Sequence, residues 1–148
     1  MRQLVEEIEV KVRFSEVDSM GIIWHGAYVK YFEDAREAFG KKFGLGYMFI
    51  HRNGFYAPLV DLNFQYKQPL KYEDTMRVKI TYIPTEAAKI IFEYEIRNAA
   101  TGALCTTGKS VQVFLDSNYE LVLFNPAFFV KWKEGFICGK NKKNSHLV

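Results

Sequence analysis

The most constraining feature of this sequence is a series of five segments with strand periodicity that all follow one long helix. Apolar and polar residues alternate with a period of two over residues 59–67, 75–83, 89–97, 103–115 and 120–124. This is the period of a strand that buries one of its faces. The connecting segments are short and carry turn-forming Pro, Gly, Asn and Asp, which favours antiparallel neighbours. Residues 8–14 alternate in the same way and predict one further strand ahead of the helix.

The helix is predicted over residues 25–43, because apolar side chains recur there at steps of three and four. These side chains are Tyr28, Phe32, Ala35, Phe39 and Phe43. Gly44 follows directly and suits the left-handed conformation that commonly ends a helix. A short final helix is predicted over residues 127–134, where Pro126 is tolerated at the start and Asn125 can act as a cap. The basic tail over residues 139–145 is expected to be frayed.

These elements predict a single α+β domain, in which an antiparallel sheet packs against one stripe of a long helix. The chain has 148 residues, of which 49% are hydrophobic and 16% aromatic, so it is long and apolar enough for a real core and is not a disordered chain. The sheet is large for a single helix. We therefore expect the chain to self-associate, so that a second copy covers the part of the sheet that the helix does not.

Composition and motifs also exclude several classes of function. A net charge of +3 is too balanced for a protein that coats nucleic acid. Cys105 and Cys138 lack the spacing of a metal site and are expected to be free thiols. We expect a cytoplasmic protein with no membrane partner, because no apolar run is long enough to span a bilayer and acidic residues stand near the start. Motifs for phosphate loops, dinucleotides and zinc are missing, so no cofactor or metal is expected.

The chemistry is expected between residues 13 and 28, where the carboxylate of Asp18 precedes the start of the long helix. The first backbone N–H groups of a helix have no intrahelical acceptor and lie at the positive end of its dipole. Such groups can stabilise the negative charge on a carbonyl oxygen during acyl transfer, while a carboxylate attacks the carbonyl or takes a proton from water. Asp18 could instead merely tie down its loop or cap the helix. Glu16 is the second candidate carboxylate.

Several short motifs occur in a fixed order along most of the chain. They begin with a strand that ends in Arg and an aromatic residue, here Arg13-Phe14, followed by Asp18, Gly21, His25, Tyr28 and Glu33-Asp34-Ala35-Arg36. Further matches lie in residues 58–60, 66–74, 94–98 and 107–109. This pattern resembles the 4-hydroxybenzoyl-CoA thioesterase-like family of hot-dog-fold acyl-CoA thioesterases. The resemblance covers about residues 9–116.

The resemblance implies a hot-dog fold, with an antiparallel sheet wrapped around one long helix. It further implies a homodimer or homotetramer whose sheets join edge to edge, and an active site at the interface that hydrolyses an acyl-CoA thioester. Asp18 matches the catalytic carboxylate of the family, acting as nucleophile or as general base. His25 matches the helix-start position whose backbone N–H polarises the carbonyl, and its side chain either takes part or only bonds to the loop.

Substrate contacts are expected at Gly26, Tyr28, Asn63, Lys67 and Lys71. Gly26 allows close backbone approach but offers no chemistry of its own. Tyr28 lies in the first helical turn, and in the family the strand that carries Asn63 borders the acyl pocket. The CoA phosphates require basic side chains at the surface. Lys67, Lys71, Arg77 and Lys109 are the candidates, although each such side chain is more often an ordinary solvated residue.

Two other functions are compatible with the same fold. One is a binding module that holds an acyl-CoA or an acyl-carrier protein without cleaving it, and the intact Asp18 argues against this reading. The other is a hydratase or dehydratase, which generally needs a His that faces a carboxylate across the pocket. His51 and His146 lie outside the matched motifs, so only His25 could serve. The sequence does not indicate which acyl group is bound.

Overall fold

The computed structural model describes residues 2–137 and contains one antiparallel sheet packed against a long helix. The strands are β1 Val5–Lys11, β2 Leu59–Tyr66, β3 Thr75–Ile83, β4 Lys89–Asn98, β5 Leu104–Leu115 and β6 Leu121–Val122. The helices are α1 Tyr28–Phe43, α2 Tyr47–Arg52 and α3 Ala127–Phe136. The strand order is β1-β3-β4-β5-β2, and the short β6 pairs with the end of β5. This is the α+β arrangement that the sequence predicts.

The hydrophobic core lies between α1 and the inner face of the sheet. The α1 stripe is buried as predicted, and alternate residues of β3 are buried opposite it. Phe39 is central to this core, because its ring centroid lies 4.8 Å from that of Phe92 and 4.7 Å from that of Phe43. Truncating such a buried Phe to Ala typically costs about 3–5 kcal/mol. The core therefore holds α1 firmly in position along the sheet.

Both ends of α1 are well defined. Gly44 has a φ angle of +68° and donates its N–H to the Gly40 carbonyl, which confirms the predicted helix end. The adjacent carbonyl of Phe43 accepts a hydrogen bond of 2.7 Å from the Trp132 indole of α3. At the other end, His25–Ala27 form a 3-10 turn, so regular α-helix begins three residues later than the predicted start. The helix therefore starts in a tight turn next to the segment expected to carry the chemistry.

Some predicted boundaries are wrong, for local reasons. The first strand ends at Lys11 rather than at residue 14, because Phe14–Glu16 form a 3-10 helix. The strand predicted over residues 120–124 is reduced to Leu121–Val122. The six-residue helix α2 was not predicted, since it is too short to show a helical period.

The C-terminal region also differs from its prediction in detail. Helix α3 begins at the predicted residue but continues to Phe136. Asn125 does not cap it, because the Asn125 side chain donates to the Glu86 carbonyl at 2.9 Å and accepts from Lys133 at 3.3 Å. Cys138, His146 and the predicted tail over residues 139–145 lie outside the described residues. Among residues 2–137, no helix has the length and apolar character needed to cross a membrane.

The two edges of the sheet differ in charge. Strand β1 carries three glutamates and one lysine in seven residues, whereas β2 carries Asp61 as its one charged residue. Each strand is paired along one side only within the described part of the chain. Charged edge strands resist pairing with other chains, and uncharged ones permit it. The β2 edge is therefore the side of this sheet that is suited to further strand pairing.

Candidate active site

Asp18 lies in a tight loop that folds back on itself. The backbone N–H of Asp18 donates to the Ile22 carbonyl at 2.9 Å, and Val17 pairs with Ile23 in an antiparallel bridge. The loop closes through Gly21, whose N–H donates to the Asp18 carbonyl at 2.9 Å and whose φ angle is +77°. Glycine reaches this left-handed conformation without steric cost. The loop thus fixes the position of the Asp18 side chain.

One oxygen of the Asp18 carboxylate is held while the other is open. Oδ1 accepts the backbone N–H of Met20 at 2.8 Å, and Oδ2 accepts no hydrogen bond from the residues that the structure describes. The side chain is partly buried and lines a cavity of about 370 Å³, named here the Asp18 cavity. Its lining residues are Asp18, Ile22, Ile23, His25, Tyr28, Tyr66, Lys67, Gln68 and Pro69. A carboxylate with a free oxygen can attack an electrophile or accept a proton there.

The start of the helix lines the same cavity. Ala27 donates its N–H to the Trp24 carbonyl at 3.0 Å, but the N–H groups of His25 and Gly26 have no acceptor within residues 2–137. The Tyr66 hydroxyl donates to the His25 carbonyl at 3.0 Å and so ties the helix start to the end of β2. Unpaired N–H groups at a helix start can bind a developing oxyanion. Of the two residues with unpaired N–H groups, His25 lines the Asp18 cavity together with Asp18.

A neighbouring segment holds the loop from the other side. Ile23 donates its N–H to the Leu70 carbonyl at 2.9 Å, and Tyr72 donates its backbone N–H to the Gly21 carbonyl at 3.0 Å. Lys71 pairs with Ile22 in this contact, but its exposed side chain does not line the cavity. These backbone bonds connect the Asp18 loop to the connection between β2 and β3.

The rival carboxylate of Glu16 serves a structural role. Glu16 is buried, and its Oε1 accepts the Arg13 backbone N–H at 2.9 Å, which closes the 3-10 helix. Burial, together with the nearby Glu16 carboxylate, raises the pKa of Tyr31 well above its usual value. The Tyr31 hydroxyl nevertheless forms no hydrogen bond of normal geometry with a described residue. Glu16 does not line the Asp18 cavity, so it is not placed to meet a substrate there.

The structure brings together four of the seven residues named for catalysis or substrate contact: Asp18, His25, Tyr28 and Lys67. Burial raises the pKa of Tyr28, whose ring packs 5.1 Å from that of Tyr66. Gly26 lies under the Trp24 indole, where a Cβ atom would come within 2.1 Å of the ring. Its smallness therefore serves local packing. Lys71 borders the loop without lining the cavity.

Asn63 is exposed on β2 and alternates with Phe64, which packs inward against Phe32 at 5.0 Å. It does not line the Asp18 cavity. Arg77 and Lys109 lie on β3 and β5, away from that cavity. His51 lies in α2 and is likewise outside it. Within the described chain, His25 is therefore the one histidine beside Asp18.

Sequence reasoning missed Tyr66 and a second, larger opening in the molecule. Tyr66 stands in a motif that matched the family, but only the fold shows that its hydroxyl reaches His25. The second opening has a volume of about 1190 Å³ and runs along the flank of α1 from Glu33 to Gly44; it is named here the α1 groove. Tyr47, Tyr56 and Tyr119 lie on its lining, and Gln112 of β5 is part of its wall.

Within residues 2–137 no group of three or more His, Cys, Asp or Glu side chains is arranged to hold a metal ion. The polar side chains that line the Asp18 cavity are those of Asp18, His25, Tyr28, Tyr66, Lys67 and Gln68.

Comparison with known proteins identifies the family. Residues 12–132 match the model of the thioesterase-like superfamily. In sequence, the chain is 33% identical over 125 residues to the "Putative acyl-CoA thioesterase YneP" of Bacillus subtilis, covering 84% of this chain and 90% of YneP.

Solved structures agree with this match. A DHNA-CoA thioesterase from Staphylococcus aureus superimposes with a TM-score of 0.80 at 28% identity, covering 96% of this chain and 95% of that one. Slr0204, a 1,4-dihydroxy-2-naphthoyl-CoA thioesterase from Synechocystis, shares the fold with a TM-score of 0.77 at 18% identity, over 90% and 96% of the two chains. The family expected from the sequence motifs is thereby confirmed: the chain belongs to the thioesterase-like superfamily.

Proposed function

We propose that this protein hydrolyses acyl-CoA thioesters in the Asp18 cavity. The observation that carries this proposal is that Asp18, whose carboxylate has a free oxygen, and His25, whose backbone N–H has no acceptor within residues 2–137, line one cavity. Family membership and the named activity of YneP support the same reaction. A cytoplasmic location remains a prediction from the sequence.

The reaction follows from the chemistry of these groups. The thioester carbonyl oxygen accepts the His25 backbone N–H, which stabilises the negative charge that develops as the carbonyl carbon is attacked. With Asp18 as general base, water attacks the carbon while its proton passes to the carboxylate. The carbon–sulfur bond then breaks, the acid is released, and the CoA thiolate takes up the proton. With Asp18 as nucleophile, its carboxylate attacks the carbonyl carbon, the carbon–sulfur bond breaks and the CoA thiolate leaves, which gives an acyl-enzyme anhydride; water then cleaves the anhydride, releases the acid, restores the Asp18 carboxylate and supplies the proton that the thiolate takes up.

Lys67 is the basic residue best placed to meet the phosphates of CoA. Its side chain lines the Asp18 cavity, and its backbone N–H donates to the Cys105 carbonyl at 2.8 Å, which fixes the chain at the end of β2. Lys71 lies beside the same loop through its pairing with Ile22. Charge-assisted hydrogen bonds from such lysines hold phosphate at a protein surface.

The active enzyme is proposed to be a homodimer or homotetramer in which the β2 edges of two copies pair. The uncharged β2 edge supports this arrangement, since the opposite edge at β1 is strongly charged. In an antiparallel pair related by a twofold axis, the Tyr66 end of β2 lies against the Leu59 end of the second copy. The Asp18 cavity of one copy, at Tyr66, then adjoins the α1 groove of the other, at Leu59.

The test is release of free CoA thiol from a panel of short, long, branched and aromatic acyl-CoAs by the wild-type protein and Asp18→Asn. The amide keeps an oxygen for the Met20 N–H but loses the negative charge. We expect turnover to fall by about 10²–10⁴ while the fold and substrate binding persist. Glu7→Gln, an equivalent change on the exposed edge of β1, is the control and should be silent.

Two outcomes would overturn the proposal. If the wild-type protein binds acyl-CoA but releases no thiol from any member of the panel, the protein is a binding module. If Asp18→Asn keeps most of the turnover while a folded Glu16→Gln variant loses it, the catalytic carboxylate is Glu16.

A further inference from the structure

The wall of the α1 groove contains a hydrogen-bond acceptor that the protein itself leaves unused. Gln112 lies on β5 opposite Leu59 and is only 5% exposed. Its Nε2 donates to the Ala57 carbonyl at 2.7 Å. Its Oε1 is shielded from solvent and accepts no hydrogen bond from any described residue. A buried acceptor without a partner is unfavourable and rare in native proteins.

The orientation of the Gln112 amide is fixed by its surroundings. A carbonyl oxygen accepts hydrogen bonds and cannot donate them, so the Ala57 carbonyl must face the NH₂ group of the amide rather than its oxygen. The opposite assignment would place two oxygens against each other. Oε1 is therefore the unpaired atom of the amide, and no described residue supplies a donor for it.

The groove suits the acyl half of a substrate better than the CoA half. Its charged lining residues are three acidic and three basic: Glu33, Asp34, Glu37, Arg36, Lys41 and Arg52. They give no net positive charge to attract phosphates, and Arg36 is already paired with Glu33. Deeper in the groove, Ile90 and Phe92 beside Gln112 provide an apolar wall. An acyl group placed there gains from burial of its apolar surface.

We propose that Gln112 is a specificity-determining residue that selects acyl groups with a hydrogen-bond donor, such as a hydroxyl, at the end remote from the thioester. The inference rests on the proposed function, because the acyl group must reach the groove from the Asp18 cavity of the paired copy. After a small adjustment of the groove wall, Oε1 accepts a hydrogen bond from the donor on the acyl group. An acyl group without the donor leaves Oε1 unpaired and binds less tightly.

The experiment compares acyl-CoA pairs that differ by one terminal hydroxyl: 6-hydroxyhexanoyl-CoA with hexanoyl-CoA, and 4-hydroxyphenylacetyl-CoA with phenylacetyl-CoA. We expect the wild-type protein to prefer the hydroxylated member of at least one pair by about tenfold in kcat/KM. Gln112→Met keeps a long side chain but has no amide. In this variant the ratio of kcat/KM between the two members of a pair should fall to about one, because kcat/KM falls for the hydroxylated substrate alone. Gln3→Met, at an exposed position ahead of β1, is the matched control and should retain the preference.

Binding is measured alongside turnover, so that failure of catalysis and failure of this inference can be told apart. Dissociation constants for the same pairs are determined with the Asp18→Asn variant and with the wild-type protein if it proves inactive. A hydroxyl preference that Gln112→Met abolishes in binding supports the inference even without hydrolysis. The inference is wrong if the wild-type protein shows no hydroxyl preference in either measurement, or if Gln112→Met weakens both members of each pair equally.

Discussion

Replacing Tyr66 by Phe should slow catalysis while leaving the fold almost unchanged. The Tyr66 hydroxyl donates to the His25 carbonyl at 3.0 Å, and its ring packs 5.1 Å from that of Tyr28. Phenylalanine keeps the ring and removes only the hydrogen bond. We treat Tyr66 as a positioning residue, because it holds the helix start whose His25 N–H is proposed to bind the carbonyl oxygen.

The expected size of each effect follows from this one bond. A neutral hydrogen bond contributes about 0.5–1.5 kcal/mol net, and the lower end applies here because Tyr66 is 51% exposed and water can replace it. The melting temperature should therefore fall by only about 1–2 °C. If the same bond energy of about 0.5 kcal/mol is used to hold the N–H in the transition state, kcat should fall by about twofold with KM nearly unchanged.

The assay is thiol release with the best acyl-CoA, together with thermal unfolding. Tyr72→Phe is the matched control, because Tyr72 is 47% exposed, its ring packs edge-on against that of Phe14 with centroids 5.8 Å apart, and its hydroxyl bonds to no described residue. That variant should keep both kcat and stability. Were Tyr66→Phe to lower the melting temperature without changing kcat, or to raise KM alone, the bond would be structural and the positioning argument refuted.

The remaining predictions concern buried tyrosines and the open sheet edge. Burial raises the pKa of Tyr82 and of Tyr94 from 10.0 to about 12. Part of the free energy of unfolding that is present below pH 10 should therefore be lost between about pH 10 and 12. Denaturant titrations at several pH values across that range measure this loss. At pH 7, Tyr82→Phe should leave the free energy of unfolding unchanged or raise it, because the Tyr82 hydroxyl has no hydrogen-bond partner among the described residues. Tyr94→Phe should lower the free energy of unfolding by about 1–3 kcal/mol, because the Tyr94 hydroxyl is hydrogen-bonded to Ser110 at 2.8 Å. Equal losses in the two variants would contradict this prediction. Asn63→Lys should weaken the proposed dimer at least tenfold in sedimentation equilibrium while Glu7→Lys on the other edge does not, and an unchanged association constant would place the interface elsewhere.

The elements with a sustained period were predictable from sequence, and those without one were not. The long helix and strand β3 were predicted at or close to their true bounds, because burial on one face forces the alternation that the sequence shows. Helix α2 has six residues and too few turns to reveal a stripe. The early end of β1 depends on the Glu16 side chain returning to the backbone of Arg13, which is a local competition that no periodicity reports.

The candidate site was predictable in its carboxylate and helix start but not in its supporting contacts. Asp18 and His25 stand close in sequence, so one motif could carry both. Tyr66 is 41 positions from His25 along the chain, and only the path of β2 brings its hydroxyl to the helix start. Gln112 looked like one polar residue in an alternating strand. Its unpaired oxygen depends on the Ala57 carbonyl, 55 positions away.

The two tryptophans give this protein an optical readout of its own site. Trp24 is 44% exposed beside the helix start, where its indole covers Gly26, and Trp132 is buried with its N–H bonded to the Phe43 carbonyl. A soluble collisional quencher therefore reaches the emission of Trp24 and is excluded from that of Trp132. A thioester bound in the Asp18 cavity would lie near Trp24 and shield its indole from the quencher. The fraction of the fluorescence that can be quenched should therefore fall as the cavity fills, so binding can be followed with no label on protein or ligand.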